Sequence, residues 1–468
     1  MTGDVMKQTI VCALGVLGFT LAGQAGEPLI HPPPPGKAFW SSANDDYTVR
    51  VRQPGGSWRD LYEYRVRVDN DQKRDASMVL FDMDGPVEVA VRRNNGDVRR
   101  VQIRPASAGV EPTLHGDTAI FRLDQPRKLS VEFDGDRLGN LHLFAGAIRP
   151  PVPAQDSPGI KVFGPGIHVP PEGADRFVIP SDTRVYFAPG AILEGGIDLR
   201  GTLNVQLTGH GLITKAKDEG ILVAHARNIG IDGPTIVNPG HYSVQCGQST
   251  GITITDFKAI SIGSWTDGLD FMSCSDVRVD DVFLRNSDDN IAIYGGRWDY
   301  RGDARNYLIT RAILWADIAH PVNIGLHGTP GAAETIANLT FRDIDILEHD
   351  EDDPEYQGAL AISNSDGNLV RDVLFENVRV ERIEEGMPFN FRTVFNKSYS
   401  HAHGRGVQNV TLRNVQFREA GTNRPVIAGH PDGGPVQNVL IEDVSIEGRP
   451  LTAADIDIGG GVTSVRIR

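Results

Sequence analysis

Cysteine, methionine and aromatic residues are all scarce in this chain, and it contains no basic run. Its 468 residues include only 3 cysteines, 6 methionines and 7% aromatics. So few cysteines exclude a scaffold built on disulfides. Lys and Arg number 46 against 61 Asp and Glu, a formal net charge of −15. An acidic chain without a basic patch is a poor partner for nucleic acid or for anionic membranes, and neither is expected. Past the N-terminus no apolar run is long enough to span a bilayer. Set beside the few aromatics, the 52 glycines point to many turns and a core of small and β-branched side chains.

The N-terminus reads as a secretory signal covering residues 1–25. Lys7 supplies the positive charge, Thr9 to Leu21 is mostly apolar, and Gly23-Gln-Ala25 offers small residues for cleavage. The mature protein is then secreted or periplasmic. Cys12 leaves with the signal. Cys246 and Cys274 remain, and are read as two buried thiols.

Residues 26–148 alternate in short strands, as in Tyr47-Thr-Val-Arg-Val-Arg52 and Tyr62-Glu-Tyr-Arg-Val-Arg-Val68, with turns at Asn94-Asn-Gly96 and Asp134-Gly135. This is the pattern of a β-sandwich domain. Residues 149–176 carry seven prolines and read as a linker. From 177 to 468 a nine-residue unit recurs, in which apolar residues alternate around a polar pair. The best copies are Asn409–Phe417, Asn438–Ile446, Asn338–Ile346, Asp372–Val380 and Asp276–Leu284; weaker ones start at Arg184, Asn204, Asn228, Gly251 and Asn306. Steps between starts run from 20 (184 to 204) to 37 (372 to 409). That spacing fits turns of a right-handed parallel β-helix, each burying its apolar strip under the next. The fold class is thus all-β, a parallel β-helix preceded by a β-sandwich.

A second short strand recurs in each turn. Its copies are Tyr242–Cys246, Asp267–Phe271, Asp289–Ile293, His320–Ile324, Gly358–Ile362, Met387–Phe391 and Arg424–Ala428. The third and fifth positions are apolar and face the core. The first positions then form a column of Tyr242, Asp267, Asp289 and His320, and the fourth an outward column that includes Asp270 and Asn323. Neighbouring turns lie about 4.8 Å apart, so Asp267 and Asp289 become neighbours, with Asp288 beside them. Packing gives no reason to crowd three carboxyls. Glycosidic cleavage does, because one carboxyl must hold a proton while another is charged. The candidate catalytic residues are therefore Asp267, Asp288 and Asp289. Candidate substrate-binding residues are His320, Trp265, Asp270, Asn323, Trp298 and Tyr242. Tyr300 and Trp315 are further stacking candidates, and His327, Asn364 and Asp366 further polar ones. No metal and no cofactor are expected, and His349-Asp-Glu-Asp-Asp353 reads as a solvated turn.

Thr266-Asp-Gly268, then Asp288-Asp289, then His320 resembles glycoside hydrolase family 28, the polygalacturonases. That resemblance implies a β-helix, inversion at the anomeric carbon, Asp288 as general acid, and Asp267 with Asp289 as the water-activating pair. The chain departs from family 28 at Trp265, at Ala319 and Pro321 around His320, and at Leu360-Ala-Ile-Ser363, where no cation stands to meet a uronate. Family 49, the dextranases and isopullulanases, fits these departures better: the chain resembles it at Phe187-Ala-Pro-Gly-Ala191, Thr208-Gly-His-Gly-Leu212 and the three Asp, and that family has an N-terminal β-sandwich. It lacks the histidine that falls here at His320. The reading is a monomeric inverting hydrolase of a neutral polysaccharide or oligosaccharide, an α-glucan such as dextran or pullulan. A polygalacturonase-like enzyme, a polysaccharide lyase and a non-catalytic carbohydrate-binding β-helix stand as alternatives.

Overall fold

Each of the five best nine-residue units folds as two strand segments with a corner at its first and sixth residues. Those corner residues are Asn or Asp throughout, and all sit at positive φ, from 50° at Asn414 to 60° at Asn338 and Asp372. Asn and Asp tolerate the left-handed region better than other side chains that carry a Cβ. Their side chains also stack: Asn438 Nδ2 donates to Asn409 Oδ1 at 3.1 Å, and Asn409 Nδ2 to Asp372 Oδ1 at 2.7 Å. The polar pair seen in the sequence is thus a pair of corner ladders. The weak copy at Arg184 starts two residues earlier, at Asp182, which receives Asn204 Nδ2 at 2.8 Å.

The computed structural model describes residues 26–150 and 156–468. The signal-peptide reading, with Cys12, lies outside them. No helix among the described residues is long and apolar enough to cross a membrane. The β-helix consists of two parallel sheets, of 20 and 11 strands. Its interior is an almost unbroken aliphatic and aromatic stack from Phe163 to Ile456. Cys246 and Cys274 are both buried there as free thiols.

The predicted register of the second strand holds over six of its seven copies. Val244 pairs with Leu269, Leu269 with Ile291, Ile291 with Val322, Val322 with Leu360 and Leu360 with Phe389. The seventh copy slips by one residue, so that Ile427 pairs with Phe391. The slip puts the larger Ile427 side chain inside the core. The proline-rich stretch read as a linker also differs. Ile160–Phe163 pairs in parallel with Arg184–Phe187, so the coil starts within it. Seven prolines hid the apolar Ile160, Val162 and Phe163 that make this first rung.

Ahead of the coil, two sheets of six and five strands form the β-sandwich. Strand Arg74–Met83 is buried on both faces. Val79, Phe81 and Met83 point into the sandwich core. Ala76, Met78 and Leu80 point the other way, onto Ile192, Leu212, Val237, Ile260, Phe283, Trp315 and Leu347 of the coil. Charged groups are sealed into the same interface. Arg285 is fully buried, its Nη2 is 2.9 Å from Asp317, and its Nη1 donates to Asn140 Oδ1 at 2.8 Å. Its guanidinium lies 3.8 Å over the Trp315 ring. Burial and the Arg285 charge push His142, beside it, down to about 3, so that imidazole is neutral.

Removing one partner of such a pair leaves a buried charge alone. Arg285→Met is expected to lower the stability of the whole protein by about 3–5 kcal/mol, read from denaturant unfolding. Arg285→Met combined with Asp317→Leu should lose less than the single change.

Candidate active site

The site lies at the entrance of the second strand, and backbone pairing builds it. Gly268 N donates to Asp289 O at 2.8 Å, and Asn290 N to His320 O at 2.8 Å. Three successive rungs thus carry Asp267, Asp289 and His320 in one column, as the repeat predicted. Asp288, on the turn before its strand, is fixed twice: Trp265 N donates to its Oδ2 at 2.8 Å and Asp289 N to its Oδ1 at 3.0 Å. One carboxylate oxygen from each of Asp267, Asp288 and Asp289 lies within 4.8 Å of the others. Asp270, on the next outward position, is completely buried, and neither of its oxygens has a hydrogen-bond partner among the described residues.

Backbone strain helps to set this geometry. Trp265 (φ 59°), Trp298 (φ 54°) and Ala319 (φ 66°) are left-handed although none is Gly, Asn or Asp. Each such residue costs of order 1–3 kcal/mol and persists only where surrounding structure holds it. Trp265 aims its N–H at Asp288. Ala319 turns the chain so that His320 N donates to Asp289 Oδ1 at 3.1 Å.

The environment separates the carboxyls into two kinds. Burial, then the Asp289 charge, pushes Asp288 up to about 7. Burial and the charges of Asp270, Asp288 and Asp289 push Asp267 well above the usual carboxylate range. Asp270 rises too, mainly through burial, although the Arg297 guanidinium opposes it. Asp289 goes the other way. Burial would raise it, but the His320 charge and hydrogen bonds from His320 and Asn323 hold it below the usual value.

His320 is the counterion of this site rather than a surface donor. It is fully buried, its Nδ1 is 2.7 Å from Asp289 Oδ1, and its Nε2 is 2.6 Å from the Tyr356 carbonyl oxygen. Both ring nitrogens therefore face acceptors, which demands the doubly protonated ring. Burial pulls its pKa down, but the Asp289 carboxylate outweighs burial and pushes it up to about 9. Asn323 is engaged as well, donating to Asp289 Oδ2 and to Tyr356 Oη, both at 2.8 Å. His320 and Asn323 thus hold Asp289.

Of the candidate sugar-binding residues, only Trp265 and Trp298 are open, at 62% and 53% exposed. Tyr242 is buried beneath Trp298, their rings stacked at 6.0 Å. Trp298 and Tyr300 belong to a two-stranded hairpin, Gly296–Arg297 with Tyr300–Arg301. Trp315 is not a sugar platform, because it is sealed beneath Arg285 in the domain interface. Asn364 and Asp366 serve the backbone, Asn364 Nδ2 donating to Gly406 O and Asp366 accepting from His401 N and Ala402 N. The stretch His349–Asp353 is not wholly a solvated turn: His349 is buried behind His320, the rings 6.0 Å apart. Tyr356 was not anticipated, because it sits on a loop between rungs where the repeat carries no signal. Arg297 lies 4.9 Å from the Trp298 ring and 5.6 Å from those of Tyr242 and Tyr294.

The model of the family described as Glycosyl hydrolases family 28 matches residues 172–458, the coil that carries these carboxyls. The chain belongs to glycosyl hydrolases family 28. This family 28 chain is also 24% identical to the isopullulanase of Aspergillus niger over 482 residues, covering 87% of this chain and 76% of that one. Its fold is similar to Dex49A from Penicillium minioluteum, with a TM-score of 0.59 and 18% identity over 92% of this chain and 95% of that one. A Yersinia enterocolitica family 28 exopolygalacturonase gives 0.51 and 11% identity, over 81% and 94%. Both resemblances read from the motifs are therefore met, and the protein is a glycoside hydrolase.

The counterion assignment has a direct test. Nitrogen NMR should show the His320 ring doubly protonated at neutral pH and losing its proton only near pH 9. A neutral ring at pH 7.5 would contradict the pairing described.

Proposed function

We propose that this is a secreted, inverting hydrolase of a neutral polysaccharide, an α-glucan such as dextran or pullulan. The observation that carries the proposal is the split within one carboxyl cluster, with Asp288 near 7 and Asp289 held ionised by His320. Asp288 is the general acid and gives its proton to the glycosidic oxygen as the bond to the anomeric carbon breaks. A water bonds to that carbon from the opposite face, and its proton passes to Asp289. Asp267, facing Asp289 across one rung, orients the water with it. Trp265 and Trp298 flank the cleft and stack on sugar rings.

A neutral substrate is favoured by where the cations stand. Rung Leu360–Asn364 offers none to meet a uronate. Arg392, one rung on, is tied to Asn390 Oδ1 at 2.6 Å and to Pro354 O at 3.0 Å. A uronate substrate is the second reading, favoured by Arg297 and its aromatic surround beside Asp270. Inverting enzymes usually hold acid and base about 6.5–9.5 Å apart and retaining ones about 5–5.5 Å, whereas the nearest oxygens here are within 4.8 Å. A closest-atom distance among three carboxyls is not the span from acid to base across a bound sugar. Inversion therefore rests on the family resemblance.

Reducing-sugar release should appear on dextran or pullulan rather than polygalacturonate, and fall by at least about 10²-fold in Asp288→Asn. Activity surviving that change would remove Asp288 from the mechanism, and cleavage of polygalacturonate alone would favour the uronate reading. Proton NMR of the first product anomer should show inversion. kcat/KM should decline as pH rises through about 7, where Asp288 loses its proton. His320→Gln should raise the Asp289 pKa and move the acidic limb to higher pH; an unmoved limb would sever Asp289 from the base role.

A further inference from the structure

Away from the cleft, three buried side chains converge where three parts of the chain meet. His31 follows edge strand Leu29–Ile30, and Asp82 lies on the strand that pairs with it. His210 stands between coil strands Leu203–Gly209 and Leu212–Thr214. All three are buried, and one nitrogen from each imidazole and one Asp82 oxygen lie within 4.8 Å of one another. Asp82 Oδ1 is 2.7 Å from His210 Nδ1 and 3.2 Å from His31 Nε2. Neither approach is aligned as a hydrogen bond: Asp82 Oδ1 and both nitrogens of His31, itself only 5% exposed, have no hydrogen-bond partner among the described residues. Unpartnered buried polar atoms cost about 1–3 kcal/mol each, and a cation would satisfy these together.

The surroundings support a metal ligand set. His210 Nε2 faces Asp256 Oδ2 at 2.8 Å. A carboxylate on the far nitrogen fixes the N–H there and leaves Nδ1 with its lone pair toward Asp82, the usual arrangement behind a metal-bound histidine. Arg149 Nε also directs its N–H at Nε2, at 3.1 Å, the one contact that favours the opposite tautomer. The nearer, charged Asp256 decides the tautomer, and Arg149 has Asp232 and Asp256 as its main partners. Gly146 keeps the meeting point clear, since a Cβ there would lie 2.6 Å from both Asp82 Oδ1 and His210 Cε1. Three cations stand nearby, Lys128, Lys258 and Arg149, but they pair with Asp256, Asp281 and Asp232. Counting Asp82, four carboxylates face three cations, so one negative charge is left for the site.

We propose that His31, Asp82 and His210 bind a zinc ion that fastens the N-terminal strand and the sandwich to the coil. Two imidazoles and one carboxylate suit zinc, with water in the fourth position. The three residues come from separate stretches with no ligand spacing, which is why the sequence pointed to no metal. The competing occupant is a proton shared among the same three groups.

Full-length protein, stripped with a chelator, loaded with Zn²⁺ and dialysed, should retain about one equivalent by mass spectrometry of the metal. His31→Ala and Asp82→Asn should lose it. Asp288→Asn should keep it, which excludes the cleft carboxyls as the binding site. Zinc should raise the melting temperature of the wild type and not of His31→Ala. Because those variants can fail to fold, Co²⁺ on the wild type provides a second reading: visible absorption of four-coordinate intensity is expected. No retained zinc in the wild type, retention in His31→Ala, or a six-coordinate cobalt spectrum would each overturn the proposal and leave the shared proton.

Discussion

Everything at this site hangs on one spacing, the distance between hydrogen-bonded parallel strands. It brings Asp267, Asp289 and His320 to neighbouring positions although 22 and 31 residues separate them in sequence (267 to 289, 289 to 320). The coil cannot relax that spacing without breaking its backbone ladder. The carboxyls are therefore held together against their repulsion, and the repulsion is converted into a difference in proton affinity. The His320 imidazolium breaks the symmetry. It sits one rung beyond Asp289, on the side away from Asp267, so it favours the charge on Asp289 and leaves Asp288 and Asp267 to hold protons.

Much of this was legible because a β-helix is nearly one-dimensional. Once the apolar third and fifth positions of each rung were aligned, the register of Tyr242, Asp267, Asp289 and His320 followed from the two-residue period of a strand. The reading failed where the period was interrupted. Prolines masked the first rung at Ile160–Phe163, and at Ile427 the need to bury the larger side chain shifted the seventh copy by one. Side-chain direction was harder still. Trp315 and Trp265 look alike in sequence, but one is sealed under a guanidinium and the other is open. Tyr356 and the left-handed turns at Trp265 and Ala319 belong to loops and strain, which no periodic pattern reports.

The corner ladders explain how the coil tolerates such variable turns. Asn and Asp side chains at most of these left-handed corners hydrogen-bond to a counterpart one turn away. Register is then set at the corners, while insertions of very different length leave between them. The hairpin carrying Trp298 and the loop carrying Tyr356 are two such insertions, and both flank the carboxyls. The rigid scaffold and the variable walls of the cleft are thus separate features of one repeat.

The strand Arg74–Met83, apolar on both faces, makes the sandwich and the coil inseparable in a practical sense. Split the chain near residue 150, and each half presents a hydrophobic stripe to water: Ala76, Met78 and Leu80 on one, Ile192 through Leu347 on the other. Stripes of that kind associate with whatever apolar surface is nearest. The sandwich is therefore a fixed wall of the hydrolase rather than an appended module, and loss or exchange of it during evolution would require the outer face of the coil to be rewritten at seven positions on successive turns.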